Sequence, residues 1–442
     1  MRRIAIYIVP LVMAIASFLY IENKNKLQIS TKRVFAVLMM TCAMFINFGS
    51  NAFNPKNTVY ETFQADSEEL VTNMLNAKKA GVTDTGAYGL GYFDAETKTV
   101  ENYVSQYGLQ GKIFQMFYKL PIHHIVCCLL TSFVFSLIVF LVYKKYDGLL
   151  AFVFFITFLL SQWTVNYAKN LYWVEFMWFV PMLLGVAISF DYKSLKKKTL
   201  CYAGIFFAIL IKCLCGYEYI TVIMLAEVAF PLIDLFVSLI EKDKKKSVLI
   251  FRTIFVMGVV SVAGFVLALL IHANLRGEGN IIEGLKSIYD QDVLRRTLGG
   301  HFENFTYRDT SDLFKASFEA SIPKVFILYQ FFNTEIISGI SGKLFVLIEF
   351  LPLLIFIYRF REGRLNKKDV IAYFVFGVTC VSWFILGKSH SYIHTPLNFV
   401  LWYFGFVQIC FYVILKQVIQ ICKYVIKNRE DIERKLLEQA DD

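Results

Sequence analysis

Runs of about 17–25 apolar residues recur along this chain, and a run of that length matches the hydrocarbon core of a bilayer. About eleven can be read, near residues 4–20, 33–50, 122–143, 148–164, 172–190, 200–214, 217–239, 248–272, 343–359, 369–387 and 396–421. A backbone in lipid must satisfy its own N–H and C=O groups, which leaves helices or the strands of a closed barrel. Barrel strands alternate apolar and polar with a period of two, and these runs do not alternate. The expected fold is an all-α polytopic membrane protein of about eleven transmembrane helices. Composition agrees, with a mean hydropathy of +0.54 and 57% hydrophobic residues, which excludes an ordinary soluble domain.

The net charge of +10 raises the question of nucleic acid, and the distribution of the charge answers it in the negative. Basic residues cluster at span ends: Lys24, Lys26, Lys32 and Arg33; Lys144 and Lys145; Lys193, Lys196, Lys197 and Lys198; Lys242, Lys244, Lys245 and Lys246; Arg359, Arg361, Arg364, Lys367 and Lys368. The short connections between these clusters carry only Lys169 and Lys388. By the positive-inside rule the clusters face the cytoplasm as topological anchors against membrane lipids. The expectation is a multi-pass protein of the cell membrane with one transmembrane domain, 1–422, and a charged cytoplasmic tail, 423–442. Two long outer loops, about 51–121 and 273–342, face the other side. Arg2 and Arg3 run against the rule at the first span, which lacks a cleavage pattern of small residues and so reads as retained. All nine cysteines lie in or beside apolar runs, so they read as packing residues rather than a disulfide framework.

Polar chemistry collects on the outer side. The stretch "FQADSEELVTNML" at 63–75 holds Asp66, Glu68 and Glu69 just after a span. A helix over about 64–80 would place Asp66, Glu69, Asn73 and Asn76 on one side and Leu70, Val71, Met74 and Leu75 on the other. The glycine-rich 81–93 reads as turns and lacks the Gly-Lys-Ser/Thr of a phosphate loop. In 102–115, Tyr103, Gln106, Tyr107 and Gln110 combine flat rings with hydrogen-bonding groups, a composition suited to a sugar, or for the tyrosines alone to an interfacial belt. Short outer loops add Tyr172, Trp173 and Glu175, then Tyr217, Glu218 and Tyr219, then Lys388, His390, Tyr392, His394 and Asn398. Interfacial anchoring explains the aromatic residues. It does not explain Glu175, Glu218 or the histidine pair, which at membrane depth belong in the bundle interior or a wet cavity. His390 and His394, four apart, share a helix face but do not by themselves make a zinc site. Arg295 and Arg296 either grip a phosphate, whose oxygens match the guanidinium fork, or form a solvated surface pair. Asn304-Phe305-Thr306 fits a glycosylation sequon, a match common by chance.

A leading span, a long outer loop opening on acids, and many further spans resemble the GT-C superfamily of membrane glycosyltransferases. "ADSEELV" sits where that family carries its catalytic acid. "YVSQYGLQGKIF", "NLYWVEFMWFVP", "GYEYITVIM" and "HSYIHTPLNFVLWY" are similar to segments of bacterial GT-C-like proteins, so the resemblance runs from about residue 60 to 405. It implies an enzyme of the cell envelope that moves a sugar from a polyprenyl-phosphate-linked donor to a glycan or other acceptor at the outer face. It further implies Asp66 as the base, with Glu68 and Glu69 as alternatives, because Ser67 interrupts the paired acids many members carry. The cations expected at the leaving phosphate are Arg295 and Arg296 ahead of Lys388 and His390. Metal dependence stays open: Asp66 with Glu68 or Glu69 offers the oxygen ligands that Mg²⁺ or Mn²⁺ takes, without a spacing that demands it.

Two other classes compete. A polysaccharide polymerase or O-antigen-ligase-like enzyme would use the same lipid-linked donor but lean on late-loop arginines. A transporter or flippase would use polar residues near mid-bilayer, for which Lys212, Glu227 and Asp234 are the candidates, but no internal repeat is visible.

Overall fold

Intramembrane backbone pairing within each segment predicts a helical bundle, and a bundle is what forms. The structure, a computed structural model, describes residues 31–50, 65–297, 312–331, 335–337, 339–395 and 397–440. The run at 4–20, Arg2, Arg3 and the sequon at 304–306 lie outside the described residues.

The elements in chain order are α1 (Thr31–Ser50), α2 (Ala65–Lys79), β1 (Gly91–Asp94), β2 (Thr99–Asn102), α3 (Leu109–Met116), α4 (His123–Lys145), α5 (Gly148–Leu160), α6 (Gln162–Lys169), α7 (Phe176–Ile188), α8 (Leu195–Cys215), α9 (Ile220–Ile240) and α10 (Lys244–Arg276). There follow α11 (Ile281–Ile288), a π-helical turn (Tyr289–Val293), one further turn (Leu294–Arg296), α12 (Asp312–Glu319), α13 (Ile322–Phe331), β3 (Glu335–Ile337), β4 (Ile340–Ser341), α14 (Gly342–Arg361), α15 (Lys367–Leu386), α16 (Lys388–Ile393), a 3₁₀ turn (Asn398–Tyr403) and α17 (Phe406–Ala440). The four strands make two short antiparallel hairpins, β1–β2 and β3–β4.

Seven of these helices are long and apolar enough to cross a membrane: α1, α4, α8, α9, α10, α15 and α17. The number is eight if α5 and α6 form one span broken by a 66° bend. That bend has a local cause: Ser161 leaves the helix in an extended conformation and its hydroxyl accepts hydrogen bonds from the N–H groups of Trp163 and Thr164, capping α6. Two further runs fall on helices that do not meet the same test. α7 has only 13 residues, and α14 carries Lys343, Glu349, Arg359 and Arg361.

α10 shows what kind of solvent the bundle is built for. Its inner face carries Ile250, Thr253, Met257, Ser261, Gly264 and Ala268, all buried or tucked against neighbours. Its outer face exposes Phe251, Phe255, Val259, Val262 and Val266. A helix in water would turn its large apolar side inward. Small and hydroxyl-bearing residues inside and large apolar ones outside are the arrangement of a helix packed in lipid. Between the helices the core is aromatic, with Phe135 stacked on Phe158 at 4.0 Å and Phe179 on Phe404 at 4.2 Å.

Hydrogen bonds gather the helix ends into two groups. At the lysine-rich end Lys145 pairs with Asp234 at 2.7 Å, Lys416 with Asp369 at 2.7 Å, and Arg359 donates to Gln417 and Gln420, both at 2.8 Å. Asp234 and Lys212 are thereby accounted for locally, since Lys212 caps α8 by donating to the Gly216 carbonyl. Glu227 accepts from Ser261 at 2.7 Å between α9 and α10. The opposite end carries the polar loops singled out above. All nine cysteines are free thiols, and Cys42 and Cys422 are the exposed ones.

α7 and α9 approach so closely that a Cβ at Gly185 would stand 1.6 Å from the Glu227 carbonyl oxygen. Gly185→Val should therefore destabilise the bundle by roughly 1–3 kcal/mol or more, the usual cost of overpacking. Thermal unfolding of the full chain in detergent measures this, and an unchanged midpoint would contradict the packing described.

Candidate functional site

At the end of the bundle away from the lysine clusters, segments from seven parts of the chain line a cavity of about 290 Å³. Ser67 and Leu70 of α2 form one wall, Tyr92 and Tyr103 of the β1–β2 hairpin region another, and Tyr172, Trp173 and Glu218 the floor. Arg295, Arg296, Phe314, His390, Ile393 and His394 close it from late in the sequence. Local chemistry builds each wall. α2 is amphipathic as its sequence requires, burying Leu70, Val71, Met74 and Leu75 against the bundle. Asn170 caps the turn that presents Tyr172 and Trp173, its side-chain oxygen accepting from both backbone N–H groups at 2.9 and 3.2 Å. The π-helical turn Tyr289–Val293 widens the helix where Asp292 points inward, a device common at functional sites.

A ladder of charge and hydrogen bonds runs through the cavity floor. Arg276, at the end of α10, pairs with Asp292. Asp292 also faces Arg295 at 3.5 Å and Arg296 at 3.7 Å. Arg296 reaches on to Glu218 at 3.7 Å. Glu218 accepts from the Gln106 side-chain amide, which also donates to the Tyr172 hydroxyl at 2.6 Å. The side chains of Glu218 and Asp292 are 5% and 7% exposed and that of Arg296 13%. Ions this buried must be paired, and each of these is.

The structure sorts the residues expected from sequence. Tyr103, Tyr172, Trp173, Glu218, Arg295, Arg296, His390 and His394 line the cavity together. Asp66 lies in the first turn of α2, next to the cavity-lining Ser67, and its side chain lies outside the described residues. Glu68 faces elsewhere: it pairs with His124 at 2.7 Å and accepts from the Leu171 N–H, bracing α2 on α4. Glu69 is exposed on the outer side of α2. Gln110 clamps two loops by donating to the carbonyls of Tyr172 and Cys215, and Gln106 holds Glu218 from below. Lys388 donates to the Phe318 carbonyl at 2.7 Å and so fixes the end of α12 rather than facing the cavity. Glu175 is fully buried, with no hydrogen-bond partner for either oxygen among the described residues.

Beside the cavity, and sharing Glu218 and Arg296 with it, is an apolar crevice of about 230 Å³. Phe265 and Leu269 of α10, Trp383 and Leu386 of α15, and Tyr217, Ile220 and Ile288 line it. Tyr217 stacks on His272 with ring centroids 5.8 Å apart, and His272 meets the Val104 carbonyl at 3.1 Å. Arg276, Asp292 and His272 were not singled out from sequence. Their signal is present but faint: an arginine ends a long apolar run, and "YDQDVLRR" sets two acids ahead of two arginines at helical spacing. Among the described residues no three His, Cys, Asp or Glu side chains converge as a metal-binding group. The two carboxylates in the ladder are both engaged by arginine, so the donor set there does not fit a divalent cation.

Neutral and charged groups are divided in the site. His390 is buried against His394, with ring centroids 4.5 Å apart. Burial first, and then His394, Arg296 and Arg295, hold its imidazole well below its ordinary pKa. It is a neutral ring whose Nδ1 has no hydrogen-bond partner among the described residues.

No protein-family model matches this chain, and no curated protein or solved structure is significantly similar to it.

His390 makes stability depend on pH. The unfolded imidazole takes a proton near pH 6.5 while the folded one resists, so the unfolded state binds more protons below that pH. Stability is full above about pH 6.5 and falls as the pH drops below it. His390→Gln should flatten part of this slope between pH 5 and 8 in thermal unfolding, and an unchanged slope would contradict the neutral buried ring.

Proposed function

We propose that this protein is a membrane glycosyltransferase of GT-C type, moving a sugar from a polyprenyl-phosphate-linked donor to an acceptor at the outer face of the cell membrane. In this reading the topology is the eleven-span one, with the lysine-rich end and the C-terminal tail in the cytoplasm. The observation that carries it is the pairing of two adjoining spaces across one ion pair. A polar, aromatic and cationic cavity and an apolar crevice between helices meet at Glu218 and Arg296. A lipid-linked sugar has the same division, with an apolar tail, an anionic phosphate at the junction and a polyhydroxylated ring beyond it.

The chemistry follows from that placement. The acceptor hydroxyl attacks the anomeric carbon, its oxygen–carbon bond forms, and the bond from that carbon to the phosphate oxygen breaks. The bonding pair leaves with the lipid phosphate. Arg296, with Arg295 behind it, stabilises this developing charge, usually a large term in catalysis. Asp66 takes the acceptor proton from its place beside Ser67. Tyr103, Tyr172 and Trp173 hold the sugar, and neutral His390 offers it a hydrogen bond. Glu218 keeps Arg296 aimed at the junction.

The test is transfer of a radiolabelled sugar from polyprenyl-phosphate donors by the purified full chain. Asp66→Asn should lower the rate by about 10²–10⁴ without loss of folding, and Arg296→Gln should lower the rate per folded molecule by about 10²–10³. Glu68→Gln should act through stability alone, since its carboxylate faces His124. The ligase-like alternative draws on the same buried arginines. An active Asp66→Asn beside an inactive Arg296→Gln would favour that alternative, and transfer unaffected by either would end both readings.

A further inference from the structure

A second and larger hollow lies on the ectodomain. It is a cleft of about 760 Å³ between the C-terminal end of α2, the 85–88 turn, α3 and the outer end of α10. Three tyrosines, Tyr88, Tyr107 and Tyr118, and two lysines, Lys78 and Lys112, line it, and no carboxylate does. Neither lysine has an acidic partner among the described residues. The Lys112 ammonium sits 3.9 Å over the Tyr107 ring, and that of Lys78 donates to the Thr83 carbonyl at 2.9 Å. Gln115 and Asn274 add amides to the lining.

Flat aromatic faces suit the C–H faces of pyranose rings, and amides and phenols suit their hydroxyls. Two ammonium groups unopposed by acid select an anion. The cleft also connects to the cavity through one short segment. Tyr103 faces the cavity, Ser105 the crevice and Tyr107 the cleft. The backbone of this segment is pinned at both ends, the Tyr103 N–H donating to the Leu90 carbonyl at 2.8 Å and the Gly89 N–H to the Tyr107 carbonyl at 3.2 Å. Four residues span at most ~14 Å, so a chain lying in the cleft has its end within reach of the cavity.

We infer that this cleft is the acceptor subsite and that it takes an anionic glycan, a chain whose sugars carry carboxylate or phosphate groups. This rests on the transferase reading of the neighbouring cavity, and it specifies what that reading leaves open.

The test is direct binding to the full chain in phosphatidylcholine nanodiscs, with no donor present. Hexagalacturonate is the probe and cellohexaose the neutral control. Hexagalacturonate should bind at least tenfold tighter than cellohexaose. The double change Lys78→Gln with Lys112→Gln should weaken it at least tenfold, and Tyr107→Ala at least fivefold, with unchanged thermal midpoints. Arg295→Gln, in the cavity, should leave binding unchanged. Equal binding of the neutral chain, or no loss in the cleft variants, would overturn the inference. So would displacement of the probe by phosphatidylglycerol vesicles, which would mark a lipid-headgroup site. Sugar transfer is scored separately: binding without transfer overturns the proposed reaction and keeps the site, while transfer without hexagalacturonate binding overturns the site alone.

Discussion

The Arg296 guanidinium is the constraint on which the end of the bundle opposite the lysine clusters depends. It is charged at any ordinary pH and largely withdrawn from water, so it must be surrounded by acceptors. Asp292 and Glu218 supply them, and each brings its own part of the chain along. Asp292 draws in Arg276 and the end of the longest span. Glu218 draws in Gln106 and Tyr172, and with them the loop between α2 and α3. One buried cation thereby joins segments almost two hundred residues apart, and the cavity is the space left over their junction.

The two ends of the bundle use charge in opposite ways. At the lysine-rich end, ion pairs such as Lys145 with Asp234 and Lys416 with Asp369 tie neighbouring helices together, Lys197 is buried over the Phe190 ring, and Lys242, Lys244 and Lys245 are exposed. At the other end the arginines turn inward and are matched by acids only in part, leaving a cationic lining. The first arrangement suits anchoring at a membrane surface. The second suits binding an anion, and it is built where hydrophobic helices give way to aromatic loops.

Much of the helical architecture was legible in the sequence, because in lipid the length and apolarity of a segment nearly decide its structure. The aromatic and acidic loops were legible for the complementary reason, that Glu218 and the histidines had no account as interfacial anchors. The β1–β2 hairpin was not legible. Its strands are four residues each and half exposed, and the glycines before it look like punctuation. Gly89 in fact lets the chain lie against α3, where a Cβ would come 1.8 Å from the Gly108 carbonyl oxygen. The acids of 66–69 could not be told apart by sequence either. Only the packing of α2 turns Glu68 onto His124 and Ser67 toward the cavity. Asp292 was missed because its inward direction depends on a π-helical turn, a departure from the periodicity that sequence reading assumes.

The account stands or falls with the coupling of Glu218 to Arg296, and a double-mutant cycle on the unfolding free energy of the full chain in detergent measures it. Glu218→Gln leaves Arg296 its contact with Asp292, and Arg296→Gln leaves Glu218 its hydrogen bonds from Gln106 and Tyr172, so each single change should cost less than the roughly 3–5 kcal/mol of a fully isolated buried charge. The double variant should then lose less than the sum of the two single ones, by a coupling of roughly 1–3 kcal/mol. Losses that simply add would mean the two side chains do not share an environment, and the cavity would not be held together in the way described.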